Sequence, residues 1–488
     1  MSSSRRGRRG APGALAILLH THMPYVEGFG TWPFGEEWLW EAIATCYLPL
    51  LDLLDRDLPI TLSLTPVLCD QLEVADLVPR FTRFVTEVRR HTHLEDAEGL
   101  RKGGHPQLAQ ELDRSLRDYE GAAERLADRG CNLLAAFAPH AQWTSAATHA
   151  VLPLLATDAC VSAQAQVGID SHRRRFGGGW QGGFWLPECA HAPDLEPVLA
   201  AAGVRACCVE LTKRLGLGAR EQLRPLVGES GIALLPIDRE TISLVWSDDG
   251  YPAHPCYRDY HRHTVHHHNP WSNDGSAYDH AAAIATAQQH AADFVARTRQ
   301  RLADAAADPD RSGPLPGGGL VVCALDTELL GHWWYEGIVW LTAVVEECAR
   351  QGLELMRVDE ALAGSEPAPL LDGGSWEPST WGSDGDLSTW SGPPVAEIAF
   401  AQREAELRLI EAGAEAGEAA FRQLLGMQAS DWAFMVTREL ALPYARQRFA
   451  DHSEAFERAL RDGLAADVTS LRNLAPKADP SLLSRPIG

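Results

Sequence analysis

Short apolar, β-rich runs recur along this chain with helical stretches between them, and that alternation leaves few folds open. The runs are ALAILLH (14–20), PITLSLTP (59–66), CNLLAAFAP (131–139), GGFWLPE (182–188), VRACCVE (204–210), GIALLPI (231–237) and GLVVCAL (319–325). Between them lie stretches with helical spacing, such as LAQELDRSLRDYEGAAERLAD (108–128) and AAAIATAQQHAADFVARTRQRLADAAA (281–307). Strands alternating with helices predict a parallel α/β barrel or a doubly wound sheet. In such folds catalytic groups gather at the C-terminal ends of the strands. A polar helical stretch at about 75–128 interrupts the rhythm and reads as an insertion. Past about residue 365 the texture changes: a Trp, Gly and Ser rich loop (373–394) leads into apolar positions at helical spacing. The expected organisation is a disordered tail at 1–12, a catalytic α/β body at 13–372, the Trp-rich loop with a helical domain at 373–475, and a loose tail at 476–488.

Bulk properties narrow the function classes. A formal net charge of −23 argues against nucleic acid as a partner, because phosphate backbones require a positive face. It is compatible with neutral substrates such as sugars. No apolar run approaches the ~18 to 20 residues of a membrane span, so no membrane partner is expected. The basic start MSSSRRGRRGAPG is followed by ALAILL, too short for the roughly 7 to 15 residue core of a signal peptide, and runs straight into His20. The ten cysteines form no CxxC pair, a pattern that suits a reducing cytoplasm; the adjacent Cys207 and Cys208 read as core.

Four polar side chains stand at predicted strand ends: His20 and His22 after the first run, Glu188 after Phe184-Trp185-Leu186-Pro187, and Asp326 after GLVVCAL. Two carboxylates far apart in sequence, each beside tryptophans (Trp185; Trp333 and Trp334), point to a glycosidase-type pair. Glycosidic cleavage needs one ionised and one protonated carboxyl flanking the scissile bond, and different surroundings hold their pKa values apart. Tryptophans offer flat faces to sugar rings, and the 15 Trp exceed the 9 Tyr. Trp376, Trp381 and Trp390 lie in the Gly/Ser-rich loop, where no core stripe exists. The His20-Thr21-His22 pair has two readings, a metal site or a set of donors to sugar hydroxyls, since alternate strand residues point the same way. HRHTVHHH (261–268) reads as a solvated loop with adventitious metal affinity.

At these residues the chain resembles glycoside hydrolase family 57, and within it the 1,4-α-glucan branching enzymes, from His20 to about His452. The similar segments are HTHMPYV (20–26), TSAATHAVLPLL (144–155), WLPECAH (185–191), SDDGYPAHPCYRDYHR (247–262), ALDTELLGHWWYEG (324–337) and ASDWAF (429–434). GTWPFGEEWLWEA (30–42) resembles an actinobacterial subgroup associated with glycogen-like or methylglucose-containing polysaccharides. The resemblance implies a distorted (β/α)7 barrel with a helical insertion and a C-terminal helical domain. It also implies a retaining mechanism with no metal and no cofactor, which turns the histidine pair toward sugar binding. Glu188 would be the nucleophile and Asp326 the general acid/base, with His20, His22 and His149 lining the donor site. Trp185, His332, Trp333, Trp381, Trp390, Asp431, Trp432 and Arg258 or Arg262 would contact an α-glucan serving as donor and acceptor. A cytoplasmic monomer or weak oligomer is expected. Branching members carry a mobile-loop tyrosine that shields the intermediate from water; none stands between Glu210 and Ser247, and Tyr251 is the nearest substitute. The alternatives are α-glucan hydrolysis or α-1,4 transfer on the same scaffold, a metal-dependent polysaccharide deacetylase, and a non-catalytic glucan-binding protein.

Overall fold

A computed structural model of the chain describes residues 13–31, 34–307, 315–370 and 377–484; the expected tail at 1–12, Trp376 and residues 485–488 lie outside the described residues. The strands in chain order are β1 (Ala14–Thr21), β2 (Thr61–Leu64), β3 (Ala141–Ser145), β4 (Gly183–Trp185), β5 (Ala206–Val209), β6 (Leu226–Val227), β7 (Ala233–Pro236), β8 (Leu320–Asp326), β9 (Glu354–Leu355) and β10 (Ala368–Pro369). They form one sheet in the order β10-β6-β7-β5-β4-β3-β2-β1-β8, with β9 on β1. Every pairing along β7-β5-β4-β3-β2-β1-β8 is parallel; only β6 runs antiparallel to β7.

These strands are apolar on both faces because helices and the opposite wall cover them, as parallel sheets require. All eight residues of β1 are buried. The seven-stranded path curls until its ends meet: the Asp238 N–H, just beyond β7, donates to the Val322 carbonyl of β8 at 2.9 Å. The result is a distorted seven-stranded barrel of parallel strands whose seam is marked by a single backbone hydrogen bond rather than a ladder.

One predicted strand is a helix. Within CNLLAAFAP, residues Leu133–Phe137 are helical, and Asn132 caps them by accepting from the Ala135 N–H. Leu and Ala are strong helix formers, and an Asn at the N-cap satisfies an otherwise unpaired donor. The third strand is instead AQWTS, Ala141–Ser145. Between β2 and β3, helical segments occupy Leu77–Lys102 and Pro106–Asp128. After the barrel come helices Ala396–Ala412, Gly417–Met427, Ser430–Thr437 and Leu442–Asp462.

Residues 476–484 are not the loose tail expected from residue 476. Ala478 and Leu482 are buried in an apolar cluster with Ala163 and Val167 of helix Asp158–Phe176. Burial of these side chains is what holds Pro480–Ser484 down. The ten cysteines are free thiols, and Cys207 and Cys208 sit in the core. Among the described residues no helix is long and apolar enough to cross a membrane.

Gly183 opens β4, and a Cβ there would come within 2.2 Å of the Trp143 Nε1 on β3. Trp143 is buried and its Nε1–H donates to Asp359 Oδ1 at 3.0 Å, so it cannot yield freely. Gly183→Ala should therefore cost about 2 to 3 kcal/mol by overpacking. Urea unfolding checks this; an unchanged midpoint would mean that β3 and β4 separate without penalty.

Candidate active site

The parallel ladder between β1 and β8 places His20 level with Asp326, and the ladder between β1 and β2 places His20 level with Ser63. These ladders therefore bring together side chains from three parts of the sequence. His20 Nδ1 faces the Ser63 hydroxyl at 3.3 Å, and its Nε2 meets His149 Nε2 at 2.9 Å. His149 Nδ1 lies 2.9 Å from the Ser430 hydroxyl and 3.7 Å from Glu188 Oε1. The His20 ring stacks on Trp185 with centroids 4.4 Å apart, and the His149 ring on His22 at 4.0 Å.

Burial holds His20 and His149 well below the usual imidazole pKa, with neighbouring histidines adding to the effect. Two neutral rings sharing one proton between Nε2 atoms fit that state. His22 differs. Burial opposes its charge, but Asp431 Oδ1 at 2.8 Å outweighs it, and with Glu328 and Glu188 nearby the pKa is raised. Its charged form is thus favoured among carboxyl groups.

Glu188 follows β4 in a left-handed conformation, φ 62° and ψ 21°, with Cys189 at φ 48° and His149 at φ 60°. Such backbone is strained for non-glycine residues and persists only where the surroundings impose it. Here the Trp-rich loop imposes it. His191 and Ser379 exchange both backbone hydrogen bonds at 2.9 Å, and the Trp381 N–H donates to the Glu188 carbonyl at 3.1 Å. The Trp381 indole N–H then donates to Glu188 Oε2 at 2.9 Å.

The two strand-end carboxyls have unlike surroundings. Burial raises the Glu188 pKa, while hydrogen bonds from Trp381 and Ser430 favour its ionised form. Asp326 is pushed well above the usual carboxylate range by burial and then by the charges of Glu328 and Glu188. Among the described residues no hydrogen-bond donor holds its carboxyl. The pocket can therefore keep one carboxylate and one carboxylic acid together.

This geometry has relatives. The profile of "Glycosyl hydrolase family 57" matches residues 143–371, and that of "1,4-alpha-glucan branching enzyme, C-terminal" matches residues 398–476. A 1,4-alpha-glucan branching enzyme of Thermococcus kodakarensis is 31% identical over 91% of this chain and 73% of its own length. A probable 1,4-alpha-glucan branching enzyme of Mycobacterium tuberculosis is 30% identical over 93% of each chain. The chain belongs to glycosyl hydrolase family 57. The crystal structure of a family 57 branching enzyme from Pyrococcus horikoshii, 28% identical, superposes over 97% of both chains with a TM-score of 0.86.

Against this family 57 frame, His20, His22, His149, Trp185, Glu188, Asp326, Trp381 and Asp431 converge. Other expected contacts do not. Trp390 and Trp432 are buried in the helical core beside Val151 and Ala433, and the Trp432 indole donates to Gly426 O at 2.8 Å, so neither offers a face to a sugar. Arg258 stacks on Tyr335 at 3.7 Å and pairs with Glu111 of the insertion; it ties that insertion to the barrel. Arg262 lies over Trp271 at 4.5 Å and donates to Gly275 O. The Tyr251 hydroxyl donates to Asp293 at 2.8 Å and its ring stacks on His290, which anchors it to helix His280–Ala307 instead of the site. Trp333 is 40% exposed and meets Trp246 edge-on, with His332 alongside, on an open face beyond Glu328.

The histidine-rich segment is not a free solvated loop: His266 bonds Asp96, and His268 is buried against the His93 ring at 3.7 Å. Among the described residues no three His, Cys, Asp or Glu side chains converge as a metal ion would require. Glu328, Tyr47 and Ser430 are site residues that sequence reasoning missed. Glu328 stood inside the quoted ALDTELLG segment, two residues past Asp326, and the spacing alone was a signal.

A group whose folded pKa is raised contributes stability that is complete below its unfolded pKa, near 6.5 for histidine, and is lost as pH rises through the folded value. Asp431→Asn should remove this contribution from His22. The stability gap between wild type and Asp431→Asn is then widest on the acid side and narrows as pH rises through the His22 titration, measured by denaturant unfolding from pH 5 to 9. A gap independent of pH would show that His22 carries no charge.

Proposed function

We propose that this chain is a 1,4-α-glucan branching enzyme that works by retaining transfer from Glu188 to a second glucan. The observation that carries the reading is the pair of strand-end carboxyls, buried Glu188 and half-buried Asp326, with opposite surroundings. Glu188, with Trp381 and Ser430 donating to it, ionises more readily than Asp326. That division is what a retaining pair needs, with the carboxyls about 5 to 5.5 Å apart.

In the first step the Glu188 carboxylate attacks the anomeric carbon of an α-1,4-linked glucosyl unit. The glycosidic C–O bond breaks, and the Asp326 proton passes to the departing oxygen. In the second, the 6-hydroxyl of another glucan attacks the same carbon and breaks the ester bond to Glu188. Its proton passes to Asp326, which restores both groups and leaves an α-1,6 branch. His20 and His149 hydrogen-bond each other, and both ring nitrogens of His22 are engaged, by Asp431 and Thr65, so among the described residues the group left to meet a donor sugar hydroxyl is Asp431, whose buried Oδ2 has no partner. Trp381 walls the donor position, backed edge to face at 5.1 Å by the buried Trp185. Ten free thiols support a reducing cytoplasm, and a glycogen-like polysaccharide is the product this reading implies.

Hydrolysis is the second reading, favoured by one observation: no tyrosine lies between Glu210 and Ser247, and Tyr251 is bound to Asp293. Water would then compete with the acceptor for the same ester. Proton NMR of amylose digests separates the outcomes, since new α-1,6 anomeric signals arise only from branching. Glu188→Gln should lower turnover at least about 10⁴-fold while glucan binding survives, in line with the loss of a covalent nucleophile. Retained turnover would overturn the assignment.

A further consequence concerns pH. Trp381→Phe removes a donor that favours ionised Glu188, so the Glu188 pKa rises. The acid limb of the kcat/KM profile should move to higher pH while the alkaline limb, assigned to Asp326, stays in place. A shift of the alkaline limb alone would reverse the roles.

A further inference from the structure

Glu328 stands two residues beyond Asp326, on the turn that follows β8, and is buried. Its Oε1 accepts from the Tyr47 hydroxyl at 2.6 Å and from the His22 backbone N–H at 3.1 Å. Tyr47 belongs to helix Ile43–Tyr47, whose Cys46 thiol donates to the Thr327 carbonyl at 3.1 Å. The Thr327 hydroxyl in turn meets that of Thr21 at 2.8 Å. Three elements thus converge on one carboxyl, which reaches the sugar site only through the His22 backbone N–H: the end of β1, the turn after β8 and the helix that follows the first loop.

The same oxygen holds the backbone of His22, the ring paired with Asp431, and Glu328 shares its turn with Asp326. We propose that Glu328 is a positioning residue that keeps the proton on Asp326 by placing a fixed, hydrogen-bonded carboxylate beside it, and that it aims His22 through its backbone N–H. This rests on Asp326 being the general acid. A like charge nearby disfavours ionisation of a carboxyl, and its influence is strong where water is excluded.

The groups facing Glu328 can be named from each neighbouring element. They are Tyr47 and Cys46 from the helix, His22 from the end of β1, and Asp326 from its own turn. Glu188 and Asp431 face Asp326 and His22 from further around the pocket. Burial pushes Glu328 up to about 7, opposed by the Tyr47 hydrogen bond. Glu328 and Asp326 therefore titrate as a coupled pair, and the Tyr47 hydroxyl biases the charge toward Glu328 and the proton toward Asp326.

The test is the pH dependence of kcat/KM on amylose for the full chain. Glu328→Gln keeps the shape and removes the charge, so Asp326 loses its proton at lower pH. The alkaline limb should move down by about one pH unit or more, with the acid limb in place. Tyr47→Phe weakens the bias toward charged Glu328 and should move the same limb in the same direction by less. An alkaline limb that stays put in both variants, whatever happens to kcat or to thermal stability, makes Glu328 a merely structural carboxyl and overturns the proposal. If Glu328→Gln fails to fold, Tyr47→Phe still decides it by the same limb. Asp326→Asn is the control: wild-type turnover in that variant would bring down the acid assignment itself, a failure distinct from an unmoved limb in the Glu328 and Tyr47 variants.

Discussion

The parallel ladder between β1 and β8 carries the arrangement of this molecule. It runs in unbroken register from Ala14 opposite Leu320 to His20 opposite Asp326, on strands with almost no exposed surface. Buried backbone donors and acceptors must be paired, so the ladder cannot open. Nor can it slip, because a shift of one residue would turn every side chain to the other face. The consequence at the far end of the ladder is chemical. A histidine and an aspartate some three hundred residues apart are held on the same rung, and β2 adds Ser63 beside them. The helices and loops that follow are arranged around this fixed edge.

What gathers at that edge is costly to bury. Glu188, Asp326, Glu328 and Asp431 surround one raised-pKa histidine, and isolated buried charges are strongly disfavoured. The pocket meets the cost in three ways. Some groups are pushed toward the neutral ring, as His20 and His149 are; some pair, as His22 with Asp431; and some are pushed toward the protonated form, as Asp326 is. The polarity of the site and its capacity for proton transfer follow from the same balance.

The C-terminal part of the chain is integral to this edge. Ser379 and Trp381 clamp the left-handed turn at Glu188, and Ala429 and Ser430 bind the turn at His149. Left-handed backbone at non-glycine residues costs on the order of 1 to 3 kcal/mol per residue, and these clamps are what sustain it. A family 57 barrel of this kind without its C-terminal region would lose Trp381, Ser430 and Asp431 from the pocket together.

Periodicity made the barrel legible, since strands buried on both faces must be continuously apolar and their ends must be polar. Six of the seven predicted runs are strands for that reason, and Glu188 and Asp326 stood out as acids at their ends. CNLLAAFAP was misread because an apolar run of that length does not distinguish a strand from a short capped helix. Trp390 was misread because a Gly/Ser-rich neighbourhood does not reveal which way an indole faces, and Trp432 because a shared motif does not reveal it either; both turn inward, to the helical core. Arg258, expected at the glucan, is bound instead to Glu111, more than a hundred residues away. The sequence by itself determined the strand order of residue types and which acids could stand at the rim. Only the tertiary structure decided which of them ionises, because that depends on burial and on donors from distant segments such as Tyr47 and Trp381, whose positions no local pattern encodes.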